Sequence, residues 1–135
     1  MNIYSGSTDG NGLAAALTNP TTLSRRKGTV TQDYPVVFDG RRWDDAEAAY
    51  LTLAQCEYFD DVDCDDLMIR IIAAKLRQHP RLRDAITSRG GVAFLERCSH
   101  ITYARSARFA AWEGYGRESR FIRNLIRGYE AAVKE

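Results

Sequence analysis

The stretch from Leu67 to Glu96, LMIRIIAAKLRQHPRLRDAITSRGGVAFLE, constrains the fold more than any other part of the chain. Leu67, Met68, Ile71, Ile72 and Leu76 recur at helical spacing and make an almost continuous apolar face. Asp65 and Asp66 stand just ahead, where an N-cap and the helix dipole favour acids. Pro80 should close the helix, because the residue before a proline resists the α region. Leu82, Ala85 and Ile86 then predict a short second helix stopped by Gly90 and Gly91, and Val92 to Leu95 a third apolar run ending at Glu96. One cation, Lys75, lies beside Leu76 within the first stripe. Such a lysine is either a snorkelling surface residue or a functional amine.

With 135 residues, the chain suits one domain, residues 1–135, able to bury a real core but too short for two. No apolar run approaches the ~20 residues of a membrane span. The opening MNIYSGSTDG has neither a basic nor an apolar signal region, so a cytoplasmic protein without membrane contact is expected. Cys56, Cys64 and Cys98 form no CxxC pair and are read as reduced thiols. His79 and His100, the only histidines, are far apart, and no metal site is expected.

Charge is unevenly spread. Acids dominate before Met68, and arginines dominate from Arg70 to Arg127. Arginine is the better fork for phosphate, which points to a phosphate-bearing ligand or nucleic acid; alternatively, the two halves neutralise each other in the fold.

Ahead of the long stripe, Ile3-Tyr4 suggests a short strand and Leu13 to Leu17 one helical turn, ended by Thr18-Asn19-Pro20. Arg25-Arg26-Lys27-Gly28 reads as a basic loop. Tyr34 to Phe38, Asp39-Gly40 and Arg41 to Trp43 read as a β-hairpin. Asp44 or Asp45 then caps a helix reaching about Cys56, with Ala46, Ala49, Tyr50 and Leu53 on one face and Glu47 beside it. Asp61-x-Asp63-x-Asp65 lacks the glycine and glutamate of a calcium loop, so residues 57–66 read as a solvated acidic linker. Trp112-Glu-Gly-Tyr-Gly116 is a glycine-broken aromatic loop, suited to stacking a planar base or to turning around a buried Trp. The last helix should run from about Glu118 to Val133, with Phe121, Ile122, Leu125, Tyr129 and Val133 inward and Arg120, Arg123 and Arg127 on another face. The expected fold class is therefore mainly α (α+β): a compact helical domain with a small β-hairpin near residues 34–43. Phosphate-binding Walker and GxGxxG loops, HExxH, GxSxG, helix-turn-helix and RNA-recognition signatures are all absent.

The order of these features resembles the NADAR, or YbiA-like, superfamily of N-glycosidases nearly end to end. Leu17-Thr18-Asn19 is similar to the family's LSN/FSN element, and PVVFDGRRWDDAEAAY to its gkxYpTxEhyY block, which sets the family's acidic residue at Glu47. Met68 and Lys75 resemble its M…KF helix. KLRQHPRLRDAITSRGGVAFLE resembles KFxQnpxLxxxLlxTGxxxLvE, ending on Glu96, and WEGYGRESRFIRNLI resembles the terminal WGxGxxGxNxLGxxLM. The chain differs at Ala54, where a lysine is usual, and at Glu118 or Ser119, where the terminal asparagine is usual; His100 stands near the place of an aspartate.

The resemblance implies cleavage of a ribose C1′–N bond without a cofactor, most directly the removal of ADP-ribose from guanine in nucleic acid. Ribosylamino-pyrimidine phosphates of riboflavin synthesis are the alternative substrates, and an inactive domain binding ADP-ribose- or NAD-like nucleotides is the alternative outcome. On this reading Lys75, its pKa lowered by apolar surroundings, attacks C1′ as a neutral amine, and Glu47 shuttles protons or stabilises the oxocarbenium-like transition state. Asn19 binds ribose or the base edge, Trp43 or Trp112 stacks the base, and Arg25, Arg26 and Arg120 meet phosphate. Glu96, Glu118 and Ser119 complete the expected substrate-binding set.

Overall fold

A computed structural model describes residues 1–54 and 62–134, without the side chains of residues 62, 63 and 108. The apolar stripe lies on the longest helix. In chain order the helices are α1 (Leu13–Leu17), α2 (Thr21–Lys27), α3 (Ala46–Leu53), α4 (Val62–Gln78), α5 (Pro80–Ser88), α6 (Val92–Glu96), α7 (Ala107–Ala110) and α8 (Arg120–Val133). Two antiparallel ribbons accompany them: β1 (Val36–Phe38) with β2 (Arg41–Trp43), and β3 (Ser99–His100) with β4 (Gly114–Tyr115). The protein is mainly helical, with the small hairpin where the sequence places it. Asp39 (φ 54°) and Gly40 (φ 74°) both take left-handed backbone, which the two-residue turn of a twisted hairpin demands.

The core forms around α4 and α8. Asp65 meets Arg120 and Asn124 near their N-terminal ends, and the Arg77 guanidinium donates to the Ala131 carbonyl near their C-terminal ends, so the helices run in the same direction. Gly128 permits the close approach between these contacts. A Cβ there would sit 2.5 Å from Ile72 Cγ2 and 3.3 Å from the Ala73 nitrogen. We expect Gly128→Ala to lower stability by about 2 kcal/mol through overpacking, although alanine is the better helix former. A shifted urea midpoint with an unchanged slope would register this.

Helix α1 is buried on every side, Leu13 to Leu17, which is how a short helix that is apolar all round behaves. It packs in one cluster with Met68, Leu76, Ile86, Leu95, Ile122 and Leu125. A second, smaller cluster joins the hairpin to α3 and α4 through Val36, Trp43, Ala46, Ala49 and Ile71.

Several local expectations change. Ile3-Tyr4 is not a strand; the N-terminus makes only an isolated bridge, Asn2 with Ser99. Arg25 to Lys27 are the last turn of α2, closed by Gly28 at φ 80°, rather than a loop. Helix α3 ends at Leu53, short of Cys56. The acidic linker falls partly on residues 57–61, outside the described residues, and from Val62 onward it is already helix. Asp65 therefore sits inside α4, where its acceptors serve Arg120 and Asn124 instead of capping. Helix α8 starts at Arg120, and Ser119 is its N-cap, accepting from the Ile122 nitrogen at 3.1 Å. Cys98 is a free, buried thiol, whereas Cys64 is disulfide-bonded, against the reduced-thiol expectation. No helix among the described residues is long and apolar enough to cross a membrane.

Candidate active site

A chain this short leaves few places for a ligand, and one cleft of about 840 Å³ stands out, within the size range of small-molecule sites. Its walls come from the α1–α2 turn (Thr18, Asn19), from α3 (Glu47, Tyr50), from α4 (Met68) and from the segment around His100, Trp112 and Phe121.

The α1–α2 turn and α3 are fixed to each other by one carboxylate. Asp45 accepts from the Ala48 nitrogen at 2.8 Å, capping α3. Its other oxygen accepts from the Thr22 nitrogen at 3.1 Å and the Thr22 hydroxyl at 2.8 Å, at the start of α2. A buried carboxylate facing two helix N-termini is stabilised by both dipoles. The Glu47 nitrogen adds a bond to the Asn19 carbonyl at 3.2 Å, so Asn19 and Glu47 enter the cleft from a shared brace. Asp45→Ala should cost about 2–3 kcal/mol in a urea melt, since it removes both caps.

Glu47 lines the cleft, and burial raises its carboxyl above the usual range, with the negative charge of Asp45 adding to the effect. A carboxyl whose pKa is raised in this way is better suited to hold and donate a proton. Asn19 lies beside it, buried, with its amide nitrogen 3.6 Å from the Met68 sulfur and its Oδ1 without a protein partner among the described residues. Asn124 reaches the same sulfur at 3.6 Å from the other side. Trp112 is held by several neighbours. Tyr50 meets it edge-on at 6.1 Å, the Arg120 guanidinium lies 4.1 Å from its ring, and Ser119 Oγ donates to its carbonyl at 2.7 Å. His100 Nδ1 lies 2.6 Å from the Ile3 carbonyl oxygen, which only accepts. That nitrogen therefore carries a proton and donates it to the carbonyl.

Lys75 does not snorkel. Only 2 % exposed, its amine donates to the carbonyls of Ala16 and Thr18, both at 2.6 Å, which are C-terminal acceptors that α1 leaves open. Burial brings its pKa down to about 7, and the Asp45 carboxylate offsets part of that drop. A neutral amine has two N–H bonds and one lone pair; both N–H bonds are used here. Lys75 is not itself a wall residue of the cleft, but Thr18, whose carbonyl it holds, is.

The other expected substrate contacts lie elsewhere. Trp43 is in the smaller core, its indole nitrogen donating to the Phe38 carbonyl at 3.0 Å and Arg41 covering its ring, so it has no face for a base. Arg25 pairs with Asp33 at 2.9 Å on the surface, and Arg26 is exposed on the same helix turn. Arg120 is buried, bonded to Asp65 at 2.7 Å, and supports Trp112 rather than facing phosphate. Glu96 pairs with Arg117 at 3.2 Å, Glu118 is exposed, and Ser119 is a buried helix cap. Among the described residues, no arginine or lysine lines the cleft. Of the sequence candidates, Glu47, Asn19 and Trp112 meet on its wall, and Lys75 stands behind it. Tyr50, His100, Thr18 and the bridging Asp45 join them. Asn124, which meets Asp65 and Met68, was missed; it stands in the sequence as a polar residue interrupting the apolar run of α8.

Among the described residues, no three His, Cys, Asp or Glu side chains converge on a possible metal position. No family model, no curated protein and no solved structure matches the chain.

Proposed function

We propose that the cleft belongs to an N-glycosidase that splits a ribose C1′–N bond, with guanine-linked ADP-ribose in nucleic acid as its substrate. The observation that carries this reading is Glu47: a carboxyl with a raised pKa, opening onto a cleft with Tyr50 and Trp112 on its walls. Departure of a purine nitrogen needs a proton, and the electron-deficient C1′ needs a partner. Glu47 supplies the proton to the leaving nitrogen as the C1′–N bond breaks. The lone pair of the neutral Lys75 amine forms a bond to C1′ once the Thr18 segment yields, and the ring opens to a protonated Schiff base. Water then adds to the imine carbon, the Nζ–C1′ bond breaks, and ribose and amine are restored. Asn19, with its unpartnered Oδ1, is the acceptor for a ribose hydroxyl or base N–H.

A wall on which the described residues include no arginine or lysine favours a second substrate, a ribosylamino-pyrimidine carrying one phosphate rather than two. Incubation with a guanine-ADP-ribosylated oligonucleotide and, in parallel, with the pyrimidine nucleotide separates the two. Released ADP-ribose supports the first and released ribose phosphate the second. Borohydride added during turnover should leave a sugar adduct on Lys75; turnover with no adduct would rule out the Schiff base and reduce Lys75 to a structural clamp.

A further inference from the structure

The rim of the cleft has a chemistry that its interior lacks. Thr102, Ala104, Phe109 and Glu113 all line the cleft, so the segment from Thr102 to Trp112 borders its mouth. That segment, TYARSARFAAW, carries two arginines and no acid. Two of its aromatic residues face water: Tyr103 is 85 % exposed and Phe109 61 %. Tyr103 also holds a left-handed backbone, φ 55°, which a bulky side chain rarely adopts.

A dedicated clamp maintains that conformation. The Glu113 carboxylate accepts from the Thr102 hydroxyl, from the Tyr103 nitrogen at 3.0 Å and from the Ala104 nitrogen at 3.4 Å. Burial pushes the carboxyl up, but these hydrogen bonds outweigh it and hold its pKa below the usual range. The acid nearest the segment is thus committed to the backbone, and the exposed Arg105 beside Tyr103 stands without an acid of its own segment. Exposed rings on an ordered, cationic edge are what single-stranded nucleic acid stacks on, because every base has a π-face and every linkage a phosphate.

We infer that the Thr102–Trp112 segment is a docking platform for single-stranded nucleic acid, with Tyr103 and Phe109 stacking the bases that flank the one entering the cleft and Arg105 meeting a phosphate between them. This deepens the glycosidase reading: phosphate is met on the rim, which accounts for a cleft wall without arginine or lysine among the described residues. A paired duplex, its bases already stacked on one another, gains nothing from the two rings.

The test needs no modified substrate, so it stands apart from turnover. Anisotropy of a short fluorescein-labelled oligothymidylate is titrated with the whole protein, beside the same strand in a duplex. Wild type should prefer the single strand, with a log–log salt slope of about −0.7 for the Arg105 contact. Tyr103→Asn, a residue that tolerates left-handed backbone, and Phe109→Ser should each weaken binding about tenfold, with unchanged melting temperatures because both rings are exposed. Arg105→Gln should flatten the salt slope by about 0.7. Binding that ignores both ring substitutions, binding as tight to duplex as to single strand, or no binding at all would overturn the platform. If the strand binds as described but ADP-ribosyl-guanine is not cleaved, the platform stands and the glycosidase reading fails. Cleavage of free nucleotides with no strand binding is the reverse.

Discussion

Glu47→Gln should lower turnover of the ADP-ribosyl-guanine oligonucleotide by two to four decades, on the order of what a positioned general acid contributes. The substitution keeps the shape of the side chain and its place in the first turn of α3. The cap on that helix comes from Asp45, so the fold should not suffer. Removal of a raised carboxyl also relieves its repulsion with Asp45, and the variant should be as stable as wild type or slightly more so. Loss of turnover with undiminished stability is the signature of a group placed for chemistry at the expense of the fold. Single-turnover rates measured across pH add a second check. The wild-type rate should fall as pH rises through the Glu47 pKa, since only the protonated acid assists the leaving nitrogen, and this limb should be missing from the residual activity of Glu47→Gln. Turnover within a few-fold of wild type would reject Glu47 as the acid.

The second large effect concerns Lys75 and the pH dependence of folding. In the unfolded chain its amine keeps a proton up to about 10.5, whereas in the folded protein it releases it near 7. Between those values the unfolded chain binds more protons, so stability rises with pH across that window. Below about 7 the amine is charged in both states, and the full penalty of burying the charge applies. At about 1.4 kcal/mol per unit, the penalty relieved by pH 10.5 is on the order of 5 kcal/mol. Lys75→Met should abolish this rise. It also strips the Ala16 and Thr18 carbonyls of their donor, so near pH 9 the variant should be less stable than wild type by about 2–4 kcal/mol. Urea melts of both proteins from pH 6 to about 10 decide the matter; parallel pH profiles would mean that the amine stays charged in the fold.

What the sequence discloses follows the range of the forces involved. The end of α4 at Gln78, the restart at Pro80 and the stop after Ser88 are set by proline and glycine acting on their own neighbours, and all were legible. The hairpin turn at Asp39-Gly40 was legible for the same reason. The start of α4 was not. Asp65 looks like a cap because acids favour helix N-termini, but its partners Arg120 and Asn124 lie more than fifty residues away. Lys75 was visible as an anomaly, but whether it surfaces or is buried depends on two carbonyls at the other end of the chain. Trp43 and Trp112 are equal as letters. One fills the small core and the other lines the cleft, and nothing adjacent to either distinguishes them. The arginine-rich half left open either phosphate contacts or neutralisation of the acidic half; Arg120 pairs with Asp65 across the two, and among the described residues the cleft wall carries no arginine.

The burial of α1 has a consequence for how the protein is made. The Leu13–Leu17 segment leaves the ribosome long before α8 and has apolar contacts in every direction, with only Ile3, Val30 and the Ser24 hydroxyl close to it in sequence. Its neighbours Ile122 and Leu125 are synthesised much later than α1, as is Ser99, whose carbonyl takes the Ile3 N–H. The nascent chain must therefore carry an exposed greasy turn until α8 emerges and close around it only then. A synthesis pause before α8 should expose that turn to chaperones and to aggregation even though, of the cleft residues described, only Phe121 is still to come.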